Sequence, residues 1–269
     1  PLVKGKVEVD EVTLSQVAFN SANLIEGMKI KGVLGRFFLQ SHGVDLSNEL
    51  AVINQTELSD THVQMLMNDT TTTPKDTTAS APVNWKVDLH KLKLKNVSFS
   101  MQLPADSMRM AAHIGEAFIN DAQADLKNQF YELKQFLLSG SSANYDTGAA
   151  KPGEGFDASH IAVRDIRIGL DSLLYKGRDM NAVIRELSMN ERSGLSITSL
   201  TGRAFSNDSI IRIPGIKLQT PHSEIDLSAQ TYWELVNIPT IGRLSAGLNA
   251  YIGKEDVMLF TGGLPDSFK

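Results

Sequence analysis

The chain has no cysteine. Disulfides, thiolate metal ligands and cysteine nucleophiles are excluded together. No apolar run approaches the ~18–20 residues of a membrane-spanning helix. Basic residues are not in excess: the net charge is −5 and the pI about 5.7. A protein made for nucleic acid would show a basic stripe, so nucleic acid is not an expected partner. The opening residues, Pro1 to Lys6, carry neither a start methionine nor a signal-peptide pattern. The chain therefore reads as an excised segment of something longer.

Catalytic signatures are also missing. The histidines are His42, His62, His90, His113, His160 and His222. None stands in a His-Glu-x-x-His or comparable metal spacing, and each reads as a polar strand residue. There is no Gly-x-Ser-x-Gly elbow and no phosphate loop. Gly153 to Ala158 loosely resembles a dinucleotide fingerprint, but it precedes a strand, which is the wrong context. The carboxylate pairs Glu8/Asp10 and Glu255/Asp256 read as solvated faces. No enzyme activity, metal or cofactor is expected.

What the chain does have is one stretch written three times. It runs Val12, Leu14, Val17, Phe19; then Leu92, Leu94, Val97, Phe99; then Ile161, Val163, Ile166, Ile168. The apolar residues sit at i, i+2, i+5 and i+7. Period-two alternation gives a strand with one buried face. The step of three breaks the phase at the same place in each copy, as a β-bulge does, and a bulge bends the strand. Copies one and two keep a gapless offset of 80 residues. Met28 and Ile30 map onto Met108 and Met110. Asp45-Leu46-Ser47-Asn48 maps onto Asp125-Leu126-Lys127-Asn128. Such self-similarity is the mark of a repeat architecture.

Short alternating segments with polar breaks point to an all-β meander. In the first copy they fall at 12–19, 23–34, 36–46, 49–58 and 61–67. The fold expected is all-β, about three bent modules of roughly five strands plus a loop, repeated end to end as a solenoid. Module one covers 1–84 with a disordered loop at 68–84. Module two covers 85–155 with a loop at 139–155, module three covers 156–230, and 231–269 is an atypical tail with a short helix near 253–260. An odd number of strands obliges a long loop to carry the chain back before the next copy starts the same way. Residues 121–138 also show helical spacing at Leu126, Phe130, Leu133 and Leu137, a rival to the strand reading.

The apolar face either closes into a sandwich core or lines an open groove. Its candidate lining comprises the three opening motifs with Met28, Ile30, Met108, Met110, Ile184, Ile197, Leu218, Ile225 and Leu227. Phe38, Met65, Met67, Met101 and Phe118 add to it. Methionine adapts to irregular apolar partners.

The chain resembles the AsmA-like/TamB family, in particular the large TamB-type proteins of Bacteroidota. The resemblance rests on Leu89 to Val97, on Asp125 to Leu133, and on Gln219 to Ile225, and covers most of residues 7–230. It implies an internal or N-proximal fragment of a periplasmic protein of the cell envelope, built as a repeating β-groove, a curved, taco-like antiparallel sheet, and anchored in the inner membrane through a segment outside this chain. It implies a groove for phospholipid acyl chains between the two membranes and, as for some members, an outer-membrane barrel partner. It also implies O-glycosylation at Thr70 and Thr77 of the polar loop. Two alternatives stay open: an assembly scaffold for outer-membrane β-barrel proteins, and a closed-core structural or carbohydrate-binding β-protein.

Overall fold

A computed structural model describes residues 6–7, 10–25, 28–67, 84–148, 150–237 and 243–261. In chain order the strands are β1 (Lys6–Val7), β2 (Glu11–Ile25), β3 (Met28–Asp45), β4 (Leu50–Met67), β5 (Lys86–Leu103), β6 (Met108–Asp125) and β7 (Phe130–Asp146). They continue with β8 (His160–Lys176), β9 (Asp179–Glu191), β10 (Ser196–Ile197), β11 (Ser199–Ser206), β12 (Ile210–Gln219) and β13 (Glu224–Tyr232). Helix α1 (Trp233–Asn237), strand β14 (Leu244–Tyr251) and helix α2 (Lys254–Thr261) complete the elements among the described residues.

The fourteen strands form one open, curved sheet whose strand order follows the sequence. Every pairing is antiparallel except that of β4 with β5, which is parallel. The 121–138 stretch is strand, turn and strand, not helix. The side chains explain why: Phe130, Leu133 and Leu137 do not form one stripe, because they fall on a β7 that pairs along its whole length with β6.

The 80-residue offset survives in three dimensions. Strands β3 and β4 start at Met28 and Leu50, and β6 and β7 start at Met108 and Phe130. The first two modules nevertheless hold three long strands each, not five. The third holds five, β8, β9, β11, β12 and β13. Gly35 and Asp60 look like turn residues in the sequence, but the chain passes through both without leaving the sheet.

It passes through by bending. Gln16, Asp60, Asn96, Gly140 and Asp165 all have φ between +50° and +59°. In the sheet registers these residues line up with Gly35 and Gly115 as one transverse crease across β2 to β8. Gln16, Asn96 and Asp165 are the residues four after Val12, Leu92 and Ile161, where the apolar step widens. A left-handed residue costs about 1–2 kcal/mol unless it is Gly, Asn or Asp, which visit that region readily. Four of the five fit that rule. Asn96 also donates through Nδ2 to Asp60 Oδ1 at 2.7 Å, tying neighbouring creased strands together. Thr61 and Ser141, both buried, donate their hydroxyls back to the carbonyls of Ser59 and Ser139.

The polar match between the copies is a turn. Asp45 Oδ1 accepts from the Asn48 amide at 3.0 Å, and Asn48 Nδ2 donates to Asp45 Oδ2 at 2.8 Å. Asp125 and Asn128 repeat both bonds at the same distances. Those bonds, the Asn128 amide first, hold the Asp125 carboxyl below its usual range. Replacing Asp125 with Ala removes the acceptor of both. The expected result is a lower urea midpoint, with the strands themselves intact by circular dichroism.

Most of the loop expected at 68–84, with Thr70 and Thr77, lies outside the described residues. Because β4 and β5 are parallel, the chain does return across the sheet between them. The second return does not occur. Residues 139–146 belong to β7, and Asp146 pairs directly with His160 across an antiparallel β7–β8 joint. The connection is 147–159, and the third opening strand runs opposite to the first two. Asp256, read from sequence as solvated, is buried in α2 at 8% exposure. Burial raises its pKa, but the hydroxyls of Ser223 and Thr220 donate to it and bring the net shift down.

Candidate functional site

The sheet registers decide which side chains share a face, because directly opposed residues on adjacent strands point the same way. Starting at Val12, one rung passes through Leu39, Thr56, Leu92, Ile119, Phe136 and Leu170. It continues through Ile184, Gly202, Ile216, Leu227 and Leu248 to the last strand. Only Thr56 and Gly202 interrupt its apolar character.

Neighbouring rungs behave alike. Leu14 leads through Phe37, Leu58, Leu94, Ala117 and Leu138 to Ile168. Beyond the crease, Phe19 leads through Gly32, Val63, Phe99, Ala112 and Ala143 to Val163. Ile30 leads through Met65, Met101, Met110 and Tyr145 to Ile161. Val97 sits between Thr61 and Ile114, Val17 opposite Leu34, and Ile166 opposite Ser141. Met28 opposes Met67 and Met108 opposes Leu103. Leu218 opposes Leu200 and Ile225, and Ile197 opposes Met189. Next to the crease, on either side of it, the alternation has period two. At the crease the phase slips by one residue, so the apolar residues on both sides of it keep one face.

The opposite face is polar. One of its rungs runs Ser15, Arg36, Ser59, Lys95, Glu116 and Ser139. The next runs Thr13, Phe38, Glu57, Lys93, Phe118 and Leu137. Phe38 and Phe118 thus lie away from the apolar face, contrary to the sequence reading. Their apolar neighbours hid the parity: each stands next to another large apolar residue, Phe37 or Leu39 in one copy and Ile119 in the other.

Nothing covers the apolar face among the described residues. Among the described residues no large side chain is fully buried, and the only buried apolar ones are Ala51 and Ala117. A compact protein of 29.4 kDa has an accessible surface of about 11,500 Å². This chain has 17485 Å². A filled interior, which the closed-core alternative requires, is absent among the described residues. The apolar face ends on an edge strand without a charged residue, β14, where Leu248 is 67% and Tyr251 72% exposed.

A polar row crosses the other face. His90 Nδ1 meets Asp121 Oδ1 at 3.1 Å, and Lys134 Nζ lies 3.6 Å from the other oxygen. Further along, Arg185 donates to Asp171 at 2.8 Å. These exposed pairs contribute little to stability. Among the described residues no group of three or more metal-ligating side chains converges, and no helix is long and apolar enough to cross a membrane.

The 147–159 connection is held by Asp157. It accepts from the amides of Gly153 and Ser159 and from His160, and these bonds lower its pKa from 3.8 to about 2. A depressed carboxyl stabilises the fold above its ordinary value and loses that contribution as pH falls through the folded one. The titration is visible without unfolding: the Ser159 amide resonance should move with a midpoint at about pH 2 in the native protein. In Asp157→Asn that movement should vanish.

No family model matches the chain, and no curated protein matches it significantly.

Proposed function

We propose that the protein is a non-enzymatic lipid-conducting groove that carries phospholipid between the inner and outer membranes from a periplasmic position. The observation that carries this reading is the uncovered apolar face, continuous from Val12 on β2 to Leu248 on β14. Each acyl CH₂ taken from water contributes about 0.8 kcal/mol, so two chains are held firmly as a whole. The face offers rung after rung of similar aliphatic and methionine side chains, so no single position traps the chain as it slides. The headgroup stays in water. No catalytic group is required, and anchoring to the inner membrane belongs to a segment outside this chain.

Native mass spectrometry of the protein purified from cells is the direct test. The expected spectrum contains bound phospholipid, and lipid-stripped protein takes up labelled phospholipid from vesicles. A lipid-free spectrum together with no uptake overturns the reading. The uncharged edge of β14 favours a second reading, a scaffold that accepts strands of an outer-membrane barrel protein by edge addition. That reading predicts crosslinks at 244–251 to barrel proteins in place of bound lipid.

A further inference from the structure

His160 is the one histidine the fold sequesters. It is 6% exposed, and its Nδ1 lies 2.8 Å from Asp157 Oδ2. An ionised carboxylate can only accept, so Nδ1 carries the proton. The opposite nitrogen, Nε2, has no partner among the described residues. His160 lines two adjoining cavities of about 660 and 310 Å³ on the polar face. The sheet brings their charges together: Gln102, Arg109, Asp146 and His160 stand on one rung across β5, β6, β7 and β8. Lys151 closes the larger cavity and Arg192 the smaller. Arg192 donates to the His160 carbonyl at 3.1 Å. Arg109 and Lys151 have no ion-pair or hydrogen-bond partner among the described residues, although Asp146 faces Arg109 across the strands.

We propose that this cavity binds a phosphate group. Arginine offers paired donors that match phosphate oxygens, and lysine a mobile point charge. Nε2 accepts from a hydrogen phosphate hydroxyl or, once protonated, donates to an oxyanion, with Asp157 fixing the ring in both states. Asp146 reduces the positive field and disfavours ligands of high charge density, leaving a site suited to one phosphate. The cavities lie on the face opposite the apolar rungs, so the proposal does not rest on the groove. A free phosphate and the phosphate of a lipid headgroup share the chemistry.

The test follows the His160 imidazole resonances of the intact protein in a titration with inorganic phosphate, and separately with monomeric dihexanoyl phosphatidic acid. Saturable shifts with both ligands are expected. In Arg109→Gln/Lys151→Gln, two exposed positions, affinity should fall about tenfold or more. Lys127→Gln, on a distant turn, should leave it unchanged. No saturable shift up to about 10 mM of either ligand overturns the proposal, as does equal weakening by Lys127→Gln. Equal affinity for the two ligands assigns the site to free phosphate. Tighter binding of the lipid assigns it to a headgroup. Ile119→Glu, on the apolar face, leaves phosphate binding intact, so this result stands or falls separately from lipid conduction.

Discussion

Ile119→Glu should abolish phospholipid transfer between donor and acceptor vesicles, while Asn120→Glu should leave it unchanged. The two residues are neighbours in β6 and differ only in the face they occupy. Ile119 stands between Leu92 and Phe136 on the apolar rung. Asn120 stands between Lys91 and Gln135 on the polar one. A carboxylate among acyl chains has no hydrogen-bond partner and no counter-ion, and burying it costs several kcal/mol. About 3 kcal/mol corresponds to more than a hundredfold in the occupancy of that stretch of groove. At Asn120 the same charge gains Lys91 opposite. Equal transfer by the two variants would remove the apolar face from the mechanism. Circular dichroism guards against misfolding, which is not expected for a half-exposed site.

Gly115→Ala should unfold well below the wild-type temperature. A Cβ at Gly115 would lie 2.5 Å from the Gly140 carbonyl oxygen and 2.8 Å from that of Ser139. Both are backbone atoms held by the β6–β7 ladder, so neither can give way. The expected loss is about 2–4 kcal/mol, in the range of overpacked positions. Gly35 faces Asp60 in the same manner, with the Asp60 carbonyl oxygen at 2.5 Å. Gly140 is the informative contrast. Its φ is +59°, and a Cβ there would meet nothing within 4 Å. Asn tolerates that backbone, so Gly140→Asn should stay within about 0.5 kcal/mol of wild type. Two glycines on one crease thus differ in purpose: Gly115 makes room, and Gly140 supplies a backbone angle.

Much of this was readable from apolar spacing. The widened steps at Gln16, Asn96 and Asp165 mark the bends to the residue, because a phase slip leaves its record in which positions are apolar. The Asp-Leu-x-Asn match carried the turn for the same reason: its chemistry is local. Gly35 and Asp60 misled, since Gly and Asp serve sharp bends inside a strand as readily as turns between strands. Phe38 and Phe118 misled because an apolar residue beside another apolar residue has no visible parity. The reversed third module was hidden because nothing in residues 147–159 states whether the chain turns back or crosses over. His160 could not be found at all. Its partner Asp157 lies three residues away in a glycine-rich connection, while Arg109 and Arg192 are brought to it only by pairing of distant strands.

A sheet one layer thick has no interior to hold it. Among the described residues, each inner strand is held chiefly by the two beside it. Such an object does not melt as a globule does, all at once. It frays inward like a woven strip, from β2 at one margin and β14 at the other, and the middle of the weave around β6 gives way last. Damage at either margin should therefore shorten the strip without dissolving it.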